Sequence, residues 1–182
     1  MKYYESITTK DGRKCILRNG TAEDGQALLD LFLETHAQTD FLKTYPDECT
    51  KTAEGESEYL KSTEANPGAV EILAEVDGVI VGSAGMEGYG ERYKAKHRAD
   101  FGIAIDQKYW GLGIGKALAL ACIKCAKQAG YEQIELQAVA DNEKALELYR
   151  KVGYLEYGRN PKGFKSRISG YQEIVMMRLE LV

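Results

Sequence analysis

Two periodicities of apolar and polar residues divide the chain. Alternation with period two marks strands, and apolar positions recurring every three to four residues mark helices. Residues 3–9 and 13–18 flank Asp11-Gly12, a dipeptide that favours tight hairpin turns, and predict a β-hairpin. Leu28, Leu29, Leu31, Phe32 and Leu33 form an apolar stripe behind Thr21, a suitable helix cap, with Glu23 and Asp24 in the first turn; they predict a helix to about His36. Residues 37–52 carry no pattern and contain Tyr45-Pro46, so they read as a loop. A second helix is expected over 53–64, stopped by Asn66-Pro67-Gly68. The period then changes. Val70, Ile72 and Ala74 alternate with Glu71 and Glu75, Asp77-Gly78 turns the chain, and 79–86 pairs back. Ala99, Phe101, Ile103 and Ile105 alternate again, after a polar connection over 89–97. A helix over 114–128 ends at Gly130, a strand covers 132–138, a helix covers 142–152, and residues 154–159 and 171–181 close the sheet. The expected fold is a mixed α/β (α+β) domain over residues 1–182. Its sheet has about seven mostly antiparallel strands, contains one βαβ step, and is flanked by about four helices.

Composition narrows the function. Of 182 residues 44% are hydrophobic and 29% charged, which excludes a disordered chain. Lys plus Arg number 24 and Asp plus Glu 28, a net charge of −4, so the basic footprint of a nucleic-acid binder is missing. No apolar run reaches the ~18–20 residues of a membrane helix. No signal core stands in the first residues, and the expected location is cytoplasmic. Four cysteines are too few for a disulfide scaffold. Cys122-Ile123-Lys124-Cys125 falls in mid-helix without further ligands, so it reads as packing and no metal is expected.

The most informative stretch is Gly111-Leu112-Gly113-Ile114-Gly115-Lys116, where a strand runs through a glycine turn into a helix. Missing Cβ atoms allow close backbone approach, and a helix start offers unpaired N–H groups; together they suit a pyrophosphate. A nucleotide P-loop is excluded, because Trp110 stands where that motif needs glycine and Ala117 follows Lys116. A dinucleotide fingerprint is excluded in both registers, where Lys116 or Leu118 occupies the last glycine position. Further on, Asn142 opens a helix and Tyr149 lies seven residues later on the same face. Asn142 can cap the helix or bond an amide-bearing ligand, and Tyr149 can pack in the core or deliver a proton.

These two groups, Gly111 to Lys116 continuing through Ala117 and Leu118, then Asn142, Ala145, Leu148-Tyr149 and Gly153-Tyr154, resemble the cofactor half of the GNAT N-acetyltransferase superfamily. The resemblance implies acetyl-CoA as cosubstrate and acetyl transfer to a primary amine by direct attack in a ternary complex. It implies that the amides of residues 113–118, in the loop begun by Gly111 and Leu112, hold the pyrophosphate. The backbone of Ile103, Ala104 and Ile105 would pair with the pantetheine arm, which Asn142 would also bond. Tyr149 would protonate the departing thiolate. The acceptor is expected to be a small-molecule amine; a peptide N-terminus, or a CoA-binding sensor without turnover, are the alternatives. A homodimer is also in keeping with the family.

Trp110 departs from the pattern, standing where the family usually has Gln or Arg. The base is unassigned, since Ala99 occupies the position where some members carry Glu, with Asp100 beside it on the other face. His36 and His97 are possible proton acceptors, although surface or structural roles suit them better. Glu34, Asp40, Tyr45, Glu87 and Tyr89 lie in segments that line the acceptor pocket in such proteins. The run 91–98, with Arg92, Lys94, Lys96 and Arg98, is expected to be solvated or to touch an anionic group.

Overall fold

The computed structural model of the protein describes residues 1–181. The elements run β1 (Tyr4–Thr8), β2 (Lys14–Asn19), α1 (Gly25–Gln38), α2 (Ala53–Ala65), β3 (Ala69–Val76), β4 (Val79–Gly88), β5 (Arg98–Ile105), α3 (Ile114–Gln128), β6 (Gln133–Val139), α4 (Glu143–Lys151), β7 (Leu155–Ser166) and β8 (Gly170–Glu180). Among the described residues the sheet has eight strands in the order β1-β2-β3-β4-β5-β6-β8-β7. Every neighbouring pair is antiparallel except β5–β6, the parallel pair that α3 connects. The mixed fold is the expected one, with eight strands rather than about seven.

The hairpins follow from their turns. Asp77 and Gly78 both adopt positive φ (52° and 79°), the geometry that a two-residue turn between twisted strands requires. β7 extends seven residues beyond the expected end at Arg159. It lies at the sheet edge and crosses Pro161 with register shifts between Glu156 and Gly158 and between Asn160 and Phe164. An edge strand tolerates a proline because one side of its backbone needs no ladder bond.

Both faces of the central strands are covered. Val70, Ile72, Ala74 and Val76 point into the larger core with Leu118, Cys122 and Cys125 of α3 and Leu146 of α4. Leu73 points the other way, onto Leu28 of α1 and Leu60 of α2. Alternation in β3 therefore separates two interiors rather than an interior from solvent. Glu71 shares its face with Leu73 and is buried beneath α1 and α2.

Candidate active site

The site begins where two strands part. β5 pairs with β6 only from Arg98 to Asp100, while its pairing with β4 continues to Ile105. Tyr89 donates its N–H to Arg98 O and Asp106 donates its N–H to Val81 O, so even-numbered residues of β5 bond β4. The peptide groups of Ile103 and Ile105 consequently face the other side, where β6 has diverged. The indole N–H of Trp110 donates to Ile105 O at 2.7 Å. Trp110 thus ties the loop to the end of β5 instead of offering the side-chain donors of the Gln or Arg usual at that position.

The glycine loop lies next to this gap. Gly113 sits at the start of α3 with φ 94° and caps it without a side chain. Ala117 is the first residue to donate back, to Gly113 O at 3.2 Å. The amides of Ile114, Gly115 and Lys116 are left at an open, electropositive helix start. Nothing lies within 4 Å of the place a Cβ would occupy at Gly111 or Gly113, whereas a Cβ on Gly115 would press on Ile105 and Leu148 at 3.2 Å. The loop therefore presents an open backbone outside and a tight joint beneath. Leu118 is fully buried in the core.

Asn142 caps α4, its Oδ1 accepting from Ala145 N at 3.3 Å. Its amide nitrogen has no partner among the described residues, so capping and ligand binding are compatible. Tyr149 is 7% exposed and packs edge-on against Phe101 of β5 and Tyr154, with ring centroids 6.2 and 5.9 Å away. Burial pushes its phenol well above the usual tyrosine value, so it stays protonated.

On the opposite face of β5 a cavity of about 320 Å³ opens below α2. Its floor is the row Ser83-Gly85-Glu87 of β4 beside Asp100-Gly102-Ala104 of β5, paired in register. Gly85 and Gly102 leave the space, and a Cβ at Gly85 would collide with Glu71 Oε2. Glu71 accepts from Tyr59 Oη at 3.0 Å. Burial pushes its carboxyl up to about 7, although the Ser83 and Tyr59 hydroxyls and Lys51 pull it down. Sequence reasoning missed Glu71 by taking it for the solvent face of β3. β3 carries two carboxylates, Glu71 and Glu75, and alternation alone does not tell the buried one from the half-exposed one.

The other sequence candidates separate. Glu87 and Asp100 come together at the cavity, and Tyr89, outside its lining, donates from Oη to Asp100 at 3.3 Å. Asp40 instead accepts from Ser166, Ser169, Tyr45 and Gln172, clasping the loop after α1 to the tip of the β7–β8 hairpin. Glu34 pairs with Lys108 at the surface. His36 stacks on Phe32, and burial lowers its pKa. His97 accepts the N–H groups of Glu132 and Gln133 through its backbone oxygen. Arg98 makes two bonds to Glu135, at 2.6 and 2.8 Å, and is not available to an anion. Cys122 and Cys125 are buried in the core of α3, as packing would have them. Among the described residues no helix is long and apolar enough to cross a membrane.

Comparison with known proteins agrees with this architecture. The acetyltransferase (GNAT) family model matches residues 29–154. The L-amino acid N-acetyltransferase AaaT of Escherichia coli K12 is 32% identical over 97 residues, which cover 53% of this chain and 59% of that protein. The N-alpha-acetyltransferase RimI of Mycobacterium tuberculosis is 31% identical over 114 residues, 63% of this chain and 68% of that one. The crystal structure of a GNAT-family acetyltransferase from Streptococcus pneumoniae superposes with a TM-score of 0.87 at 23% identity, over 91% of this chain and 99% of that one. The family model spans the glycine loop, Asn142 and Tyr149, on which the sequence resemblance rested, and the fold sets that loop beside an unpaired stretch of β5: the chain belongs to the GNAT acetyltransferase family.

Proposed function

We propose that the protein transfers the acetyl group of acetyl-CoA to a primary amine of a small molecule, by direct attack within a ternary complex. The observation that carries this reading is the start of α3, capped by a glycine and by no side chain, lying against the unpaired edge of β5. The residues fit the cosubstrate. The amides of Ile114, Gly115 and Lys116 would hold the pyrophosphate. The backbone of Ile103 and Ile105 and the amide of Asn142 would hold the pantetheine, whereas Ala104, expected from the resemblance to join them, turns its peptide groups to β4. When bound, acetyl-CoA supplies the thioester acetyl.

The chain's own residues divide the remaining work. A backbone N–H at the end of β5 polarises the acetyl carbonyl. An alkylammonium has a pKa near ~10.4, so the attacking nitrogen must lose a proton. As the C–N bond forms, Glu71 takes that proton. As the C–S bond breaks, Tyr149 gives its proton to the leaving sulfur. The cavity, walled by Leu42 and Tyr59, favours a small amine over a peptide N-terminus. The tyrosine retained beside β5 favours turnover over a sensing role.

Thermal unfolding with acetyl-CoA, NAD and ATP tests the cradle. At a hundredfold excess over Kd, acetyl-CoA is expected to stabilise the protein by about 2.7 kcal/mol. For this length that raises Tm by roughly 5–10 °C. A rise with NAD or ATP instead would assign the loop to another ligand.

A further inference from the structure

The cavity below α2 has an unbalanced charge. Its acidic lining comprises Glu71, Glu87 and Asp100, beside the neutral phenol of Tyr59, and among the described residues the lining holds no lysine or arginine. Glu87 and Asp100 stand directly opposite each other across β4 and β5. Like charges in that position repel, and no cation in the cavity lining separates them. A smaller chamber of about 130 Å³ adjoins the cavity, sharing Tyr59, Glu71, Ser83 and Ala104. It adds Glu56 and one cation, Lys51. That ammonium is already engaged: it bonds Glu56 Oε1 and lies over the rings of Phe32 and Tyr59 at 5.0 and 6.0 Å. Glu56 is 3% exposed, and its Oε2 is buried with no hydrogen-bond partner. His36, also in this chamber, is held toward its neutral form by burial. The site thus has four carboxyl groups against one committed ammonium, and one buried acceptor oxygen still unsatisfied.

The spacing carries the argument to a substrate class. Glu71 pairs with Gly85, two residues along β4 from Glu87. Diagonal neighbours of this kind lie about 7–8 Å apart, a span suited to an alkane diamine of about four or five methylenes. Building on the acetyl-transfer reading above, we infer that the acceptor is an aliphatic diamine or polyamine, its far ammonium held between Glu87 and Asp100 while its near nitrogen reaches Glu71. An α-amino acid would bring a carboxylate among these groups, and juxtaposed like charges repel.

The experiment compares 1,4-diaminobutane, spermidine, butylamine, L-leucine and an alanyl peptide as acceptors, reading thiol release and product mass with acetyl-CoA saturating. The diamine and spermidine are expected to exceed butylamine by about tenfold or more in kcat/KM, one close charge pair's worth, and to exceed leucine by more. In Glu87→Gln combined with Asp100→Asn, KM for the diamine should rise about tenfold and its advantage over butylamine should collapse. Stabilisation by acetyl-CoA serves as the fold control for this variant. Preferred use of leucine or the peptide, or a diamine preference that survives both substitutions, would overturn the inference and leave acetyl transfer standing. Absence of both acetyl-CoA binding and turnover with every amine would overturn the reading beneath it.

Discussion

Glu71→Gln is expected to lower kcat/KM by about 10²–10⁴ and, in the same protein, to raise Tm above pH 7. The two effects share one cause. Glu71 is an ordinary carboxylate in the unfolded chain, whereas burial pushes it up to about 7 in the fold. Between those values the native state holds a proton that the unfolded state has released, so stability falls as pH rises from about 4.5 to about 7. A shift of that size is equivalent to roughly 3 kcal/mol, fully lost above pH 7. Glutamine keeps the acceptor that Tyr59 Oη uses and carries no charge to desolvate, so the variant escapes this penalty at pH 8 and gains nothing at pH 4. The groups facing Glu71 that enter the balance are Tyr59, Ser83, Lys51 and Glu56. Activity of the unsubstituted protein should rise with pH through about 7, and Glu71→Gln should remove that limb. Thermal melts at pH 4 and pH 8, read beside the pH–rate profile, check both halves. A variant that is less stable at pH 8, or that retains the limb, would show that the proton goes elsewhere.

Tyr149→Phe is expected to reduce kcat by about a hundredfold, at the low end for a general acid, because a thiol of pKa near ~8.5 leaves tolerably without help. Stability should change little. The ring is retained against Phe101 and Tyr154, and the phenol makes no hydrogen bond that the substitution would break among the described residues. Loss of a contact made only in the transition state lowers kcat and kcat/KM together. Steady-state kinetics with the best acceptor decides the matter, and a variant as fast as its parent would remove Tyr149 from the chemistry.

How far the sequence could lead depended on whether the chemistry is local. The glycine turn into α3 was legible because Gly111, Gly113 and Gly115 act locally, through their own backbones, at a strand–helix junction. The Asn142–Tyr149 spacing was legible because seven residues on a helix fix a face. The role of Trp110 was not, since the acceptor of its N–H is the backbone of Ile105. Glu71 was hidden for a stronger reason. Alternation says which residues share a face, but not that α1 and α2 return to cover the second one. The room around Glu71 comes from Gly85 on another strand, a pairing that no spacing along the chain encodes. The length of β7 escaped notice because Pro161 reads as a terminator until its strand is known to lie at an edge.

The parting of β5 from β6 makes Ile103 and Ile105 central by position and marginal by bonding. Their amides lie mid-sheet yet lack a strand partner on the β6 side, so in the free protein they are expected to exchange hydrogen with solvent as readily as a loop does. A ligand that completes the ladder would act as the missing stretch of strand. At a hundredfold excess over Kd, acetyl-CoA should slow exchange at these two positions by about a hundredfold, while Ala104, bonded to β4, changes little. With acetyl-CoA bound as proposed, the gap in the sheet would be a built-in reporter, in which filling the active site and finishing the fold are one event.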